Sequence, residues 1–241
     1  KELVSKGNRV KVIDNLSNGR LENLSPVLPE IEFIKGDILN ADQLQRAVSG
    51  VDYVLHHAAL ISVFDSIKNP INYHNCNVTG TLMLLECCRR YKIKRVVIAS
   101  SAAVYGDSSK LPLVESGALN PVSPYGLSKY TNELYARQYY KLYKIETVCL
   151  RYFNIYGPGQ NVNSPYSGVI PKFINKLLTG GKVEIYGDGN QTRDFIYIDD
   201  VVKANLLACH TPNCGGEVFN IATGQGTSVN DLYNRICEIV K

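Results

Sequence analysis

Short runs rich in Val and Ile alternate along the chain with stretches whose apolar positions recur every three to four residues. The runs are RVKVID (9–14), EIEFI (30–34), DYVLHHA (52–58), KRVVIAS (94–100), ETVCLRYF (146–153) and EVFNIA (217–222). Flanking Gly, Asn, Asp and Ser mark turns, so each run reads as a strand, and the Val/Ile content implies burial on both faces. Residues 40–49, about 69–92 and about 124–144 carry helical periodicity, the last two long enough for about five turns or more. Strands and helices alternating in this way predict an α/β fold built on a doubly wound parallel sheet.

From 156 to 189 the texture shifts to Gly, Pro, Asn and Ser around one predicted helix at 169–179. Such a stretch is expected as an insertion covering the carboxyl edge of the sheet. The opening KELVSKG reads as the end of a helix, with Gly7 as its C-cap before the strand 9–14. In a Rossmann-like unit an acidic strand end follows the glycine turn by ~20 residues, yet only thirteen residues precede Asp14. The first, central strand and its glycine turn are therefore expected before residue 1. Lys241 likewise falls inside the helical pattern of SVNDLYNRICEIVK. The expected organisation is a Rossmann-like nucleotide-binding domain at 1–154 and a smaller substrate-lobe segment at 155–198. A return to the sheet follows at 199–223, and an incomplete C-terminal lobe starts at 224–241.

Apolar residues make up 45% of the 241, enough for a core that needs neither disulfide nor metal. The net charge of +4 is small and dispersed, which argues against a nucleic-acid surface and mildly favours an anionic small ligand. No stretch approaches the ~18 apolar residues of a spanning helix, and no signal-peptide pattern opens the chain, so no membrane association and a cytoplasmic location are expected. The seven cysteines are odd in number and mostly in apolar surroundings, which suits a reducing compartment. Cys209, His210 and Cys214 lack the second ligand pair that a structural zinc wants, so no metal is expected. His56, His57 and His74 read as structural histidines.

Candidate chemistry concentrates around SPYGLSKY. Tyr125 and Lys129 stand at i,i+4 near the start of a helix, which places both on one face. A nearby ammonium favours the phenolate and makes Tyr125 a candidate general base. Ser100 and Ser101 end the preceding strand, at the carboxyl edge where doubly wound sheets bind ligands. Asp14 also ends a strand, where a carboxylate accepts both ribose hydroxyls of NAD and repels a 2′-phosphate. Arg193 could grip a diphosphate bidentately or pair with Asp194 at the surface. Asn154 could contact substrate or cap a turn.

Ser101, Tyr125 and Lys129 together resemble the Ser-Tyr-Lys triad of the short-chain dehydrogenase/reductase family. Further motifs resemble its extended NAD-dependent epimerase/dehydratase branch along essentially the whole chain. They are Asp14-Asn15, Gly36-Asp37-Ile38, HHAAL (56–60), Asn77-Val78-Thr79-Gly80-Thr81, SSAAVYG (100–106), LRYFNIYGPG (150–159) and GDGNQTRDFIYIDD (187–200). Within that branch the chain looks most like UDP-glucose and UDP-N-acetylglucosamine 4-epimerases.

The resemblance implies a cofactor set for NAD: Asp14 and Asn15 at the adenosine ribose, Asp37 and Ile38 flanking the adenine, His57, Ala58, Ala59 and Leu60 lining the channel. Asn77 would stand near the nicotinamide ribose, Ser100 would border the cofactor, and Lys129 would bond that ribose and acidify Tyr125. Ser101 would orient the sugar's 4-hydroxyl. Asn154 and Arg193 would meet the diphosphate of a UDP-sugar, and Val169, Ile170 and Pro171 its uracil. The implied activity is NAD-dependent 4-epimerisation of a UDP-hexose through a transient 4-keto sugar, in a homodimer formed by the helices at 69–92 and 124–144. Alternatives are a UDP-glucuronate 4-epimerase, a reductase, a 4,6-dehydratase or a non-catalytic binding module. Dehydratases of this family carry Asp and Glu just after the strand-end hydroxyl, where this chain has Ala102 and Ala103.

Overall fold

The structure, a computed structural model, describes residues 1–160 and 168–240, and part of the 156–189 insertion therefore lies outside the described residues. The chain divides into two compact units, one of residues 1–151 and 204–220, the other of 152–203 and 221–241.

In the first unit, helix α1 (Glu2–Ser5) closes at Gly7, whose φ of 76° is a conformation that favours glycine. Strand β1 (Val10–Asp14) follows and pairs in parallel with β2 (Ile31–Lys35), Asp14 lying opposite Lys35. Helix α2 (Ala41–Val48) begins at Asn40, whose side chain caps the amide of Gln43. Strand β3 (Tyr53–His56) then runs parallel to β4 (Arg95–Ser101). The four-stranded sheet is completed by β5 (Glu146–Tyr152), with β9 (Val218–Ile221) at its edge, in the order β3-β4-β5-β9.

The parallel sheet is thus interrupted, with β1-β2 hydrogen-bonded as a separate pair. Among the described residues β1 has only β2 as a strand neighbour, and β3 only β4.

Between β3 and β4 the helix expected at about 69–92 runs without a gap from Pro70 to Arg90, and a short helix outside that range precedes it. Short helices α3 (Val63–Lys68) and α4 (Pro70–Tyr73) lead into a π-helical stretch at His74–Thr79 and then α5 (Gly80–Arg90). Asn69 and Pro70 separate the first two, because proline has no amide to continue a helical ladder. Helix α6 (Pro124–Tyr143) starts on two reinforcing signals, Ser123 capping the amide of Gly126 and Pro124 at the first helical position. It ends at Lys144 in the left-handed region.

The main core joins α2, α5 and α6 to the central strands through Leu44, Leu84, Leu85, Val96, Ile98 and Tyr139. Val96, Val97 and Ile98 are at most 1% exposed, the double-sided burial that their β-branched run predicts. Each such side chain contributes about 1.5–3 kcal/mol by leaving water.

In the second unit, β6 (Asn154–Tyr156) pairs in parallel with β8 (Phe195–Tyr197), and β7 (Thr192–Arg193) pairs antiparallel with β10 (Thr227–Ser228). Helices α7 (Val169–Leu178) and α9 (Val229–Val240) pack through Phe173, Val229, Leu232 and Ile236. Helix α8 (Ile198–His210) passes from the second unit into the first, so the segment from 199 enters as a helix before the chain reaches β9. Among the described residues no helix is long and apolar enough to cross a membrane.

Candidate active site

Strand β4 delivers Ser101 to its carboxyl end, and the next four residues, Ala102–Tyr105, form a single 3-10 turn. Ser101 accepts a hydrogen bond from the amide of Ala103 at 3.2 Å, which fixes its hydroxyl at the mouth of that turn. Helix α6 is brought against the same turn by Gly126. A Cβ at that position would lie 2.7 Å from the Ala103 carbonyl oxygen, so only glycine permits the approach. The neighbouring Tyr125 then meets Ser101, and their side chains share a hydrogen bond.

Lys129 follows one turn later, 96% buried, with Nζ 5.9 Å from the centre of the Tyr125 ring. Nζ donates to the carbonyl oxygen of Ala99 at 2.9 Å. Burial pulls the Lys129 ammonium down to about 8, so it titrates near neutral pH. The Tyr125 hydroxyl is pushed up by burial, and the bond to Ser101 opposes this only partly. Burial is thus the larger influence on the Tyr125 hydroxyl and Ser101 the smaller, while the ammonium is drawn to the Ala99 carbonyl.

Asp14 stands at the carboxyl end of β1 with Oδ1 accepting the amide of Leu16 at 2.7 Å. The loop folds back over it at Gly19, where a Cβ would come within 2.9 Å of Oδ2. Asn15 and Asp37 are joined, the Asn15 amide donating to Asp37 Oδ2 at 3.0 Å, which ties the ends of β1 and β2 together. Ile38 follows Asp37 just past the end of β2. Its side chain is buried in the core, against Gly80 of α5, where a Cβ would come within 2.5 Å of it.

The segment after β3 is set by Asn77. Its Oδ1 accepts the amide of Leu60 at 2.8 Å, while Nδ2 donates to the Leu60 carbonyl at 2.9 Å and to Ser128 Oγ at 3.1 Å. Asn77 is 1% exposed, and its side-chain amide ties Leu60 to Ser128. The π-helical turn carrying it also turns its carbonyl outward to Asn132 Nδ2 and Thr81 Oγ1. Thr81 in turn accepts from His56 Nε2, and burial lowers that imidazole to about 3, which makes it a neutral structural histidine. His57 and Ala58 are exposed, with Ala59 and Leu60 half-buried.

Ser100 is buried, and its hydroxyl donates to Glu133 at 2.5 Å. Glu133, Arg151 and Ser128 were not among the expected site residues. An arginine within the apolar run CLRYF was the available signal, since a buried guanidinium requires a buried partner.

In the second unit, the backbone and side-chain amides of Asn154 both donate to the Asp194 carbonyl, at 3.1 and 2.9 Å. The Asp194 carboxylate accepts from Thr223 and Gly224 and so is not the partner of Arg193. Arg193 is exposed, its Nη1 donating to the Thr192 carbonyl, and no carboxylate bridges it among the described residues. Val169 and Ile170 pack against the core of this unit, and Pro171 is buried.

The donor set of the first unit suits a nicotinamide dinucleotide. A carboxylate ends β1, its Oδ1 held by the Leu16 amide, and an ammonium with three N–H groups stands beside a phenol and a serine at the end of β4.

The model of the NAD dependent epimerase/dehydratase family matches residues 1–222. A UDP-glucose 4-epimerase of Mycolicibacterium smegmatis is 37% identical over 242 residues, covering 99% of this chain and 77% of that protein. The structure of a UDP-N-acetylglucosamine 4-epimerase from Methanobrevibacter ruminantium, in complex with UDP-N-acetylmuramic acid, superposes with a TM-score of 0.93 at 42% identity. It spans 97% of this chain and 74% of that one. The UDP-glucose 4-epimerase of Thermotoga maritima, with UDP-glucose, gives 0.93 at 38% identity over 99% of this chain and 77% of its own.

Proposed function

The chain belongs to the NAD dependent epimerase/dehydratase family, and from that premise we propose that it interconverts UDP-hexoses at C4, as UDP-glucose and UDP-galactose or their N-acetyl forms. The observation that carries this reading is the meeting of Ser101, Tyr125 and Lys129 at the carboxyl end of β4. NAD, when bound, supplies a hydride acceptor at the sugar's C4 and a hydride donor on the return.

The chain's own residues handle the proton and the geometry. Tyr125 takes the proton of the 4-hydroxyl as the carbon is oxidised, and gives it back when the 4-keto sugar is reduced on its opposite face. Ser101 holds the sugar oxygen against the phenol. Lys129, protonated, steadies the phenolate and reaches the nicotinamide ribose. Asp14 and Asn15 take the adenosine ribose hydroxyls, and Asp37, tied to Asn15, flanks the adenine with Ile38. Arg193, exposed and with no bridging carboxylate among the described residues, grips the diphosphate, which leaves the hexose free to turn.

Dehydration is disfavoured by Ala102 and Ala103, whose methyl groups occupy the turn after Ser101 and can move no proton. Incubation of the full chain with UDP-galactose and NAD, followed by chromatography, should yield UDP-glucose. Recovery of starting material alone would leave a binding module. A cytoplasmic site of action is supported by seven free thiols, which suit a reducing compartment.

A second copy of the chain is assigned to the helical face of the first unit. Phe64, Ile67 and Ile71 are 60–73% exposed there. Beside them a groove of about 720 Å³ is lined by Ile71, Val78, Val122 and Leu127. So much exposed apolar surface on one face is unusual for a monomer.

A further inference from the structure

Tyr125, Lys129 and Glu133 stand at i, i+4 and i+8 on α6, hence on one stripe of the helix. All three engage the last residues of β4. Tyr125 bonds Ser101, Lys129 Nζ bonds the Ala99 carbonyl at 2.9 Å, and Ser100 Oγ bonds Glu133 Oε1 at 2.5 Å. The helix is thereby fastened to three consecutive residues of the strand end.

Glu133 is itself held from a second strand. Arg151 of β5 donates Nε to Oε1 at 2.9 Å and Nη2 to Oε2 at 2.7 Å, a bidentate pair in which both side chains are at most 4% exposed. The remaining Nη1 of Arg151 reaches the Tyr105 hydroxyl at 2.7 Å, at the end of the turn that follows Ser101. One carboxylate therefore links α6, β4, β5 and the turn after β4, behind the three candidate catalytic groups.

A buried ion pair is a poor device for stability, since well-packed apolar residues often do as well or better. Its value is directional: only a carboxylate here gives the Ser100 hydroxyl an acceptor while pointing a second oxygen at Arg151. We propose that Glu133 is a positioning residue of the reaction, setting the register of α6 against the end of β4 and so the distance between Tyr125 and Ser101. This rests on the reading of Tyr125 as the base. Without Glu133 the strand end and helix lose one of three fastenings, and displacements well under an ångström at a proton-transfer site are costly in rate.

The test uses the full chain with NAD and UDP-galactose, kcat being normalised to the NAD-bound fraction. Ser100→Ala removes one hydroxyl and little packing, and Glu133→Gln keeps the shape while losing the charge. Each should lower kcat by about tenfold or more with KM within about twofold, and the double variant should be no slower than the worse single one. Ser100→Ala with wild-type kcat overturns the proposal, even if Glu133→Gln fails to fold. A loss of thermal stability with unchanged kcat per NAD-bound molecule in either variant also overturns it. Tyr125→Phe run alongside separates the two levels: an active Tyr125→Phe removes the underlying reading, whereas an inactive one beside a fully active Ser100→Ala removes only the role of Glu133.

Discussion

The Lys129 ammonium lies 2.9 Å from the carbonyl oxygen of Ala99 and 5.9 Å from the centre of the Tyr125 ring, so one buried cation serves both the strand end and the phenol. That arrangement is unfavourable for folding. A charge held in an apolar setting is bound less tightly to its proton than in water, and the lowered value of about 8 expresses this.

Replacing Lys129 by Met should therefore stabilise the chain while impairing it. Unfolded, the lysine keeps its proton up to its ordinary value of 10.5, whereas folded it releases it above about 8. Between these values the unfolded chain binds more protons, so stability rises with pH across that window, and below it the full penalty of about 3 kcal/mol applies. Denaturant unfolding should show Lys129→Met gaining most near pH 7 and progressively less toward pH 10. A constant difference across pH would contradict the burial of the charge.

Turnover should respond in the opposite sense. The wild-type rate should decline above about pH 8 as Lys129 loses its proton and the phenolate loses its support. With Lys129→Ala the rate should fall, and its rising acid limb should move to higher pH because the phenol has lost its cationic neighbour. An unmoved limb would uncouple the two groups.

Tyr125→Phe should abolish epimerisation and leave binding of NAD and UDP-sugar within a few-fold, since it removes a proton acceptor and almost no packing area. Isothermal titration beside the activity assay checks both halves.

Gly126→Ala should act at the approach of helix to turn. The added methyl would meet the Ala103 carbonyl at 2.7 Å and push the start of α6 away from Ser101. A loss of about 1–3 kcal/mol in stability is expected, with a lower kcat. Thermal melting and initial rates would show it.

The exposed apolar helix face predicts a dimer by light scattering at micromolar concentration, and Ile71→Lys should shift it toward monomer with little change in monomer stability, since Ile71 is 73% exposed. A monomeric wild type would contradict the assignment.

Much of the site was legible because it is local. The Tyr125–Lys129 spacing follows from the helical repeat, the start of α6 from Ser123 and Pro124, and the strand ends at Asp14 and Ser101 from β-branched runs that stop at polar residues. Strand β4, buried on both sides, was visible for the same reason. Helix α8 lies within the segment expected as a return to the sheet, although Asp199 and Asp200 in its first turn are a favourable helix start. The π-helical turn at His74–Thr79 had no signature in the apolar spacing, because one extra residue per turn barely disturbs the pattern.

What only the tertiary structure decided is how polar side chains are spent. Ser100 is committed to Glu133 across 33 residues, Asn77 to Ser128 across 51, and Ile38 to the core beneath Gly80. Sequence patterning records which face of an element is apolar, since burial repeats with the period of the helix or strand. A hydrogen bond between distant segments has no period, and whether a serine at a strand end faces a ligand or a buried carboxylate depends on which helix packs beside it.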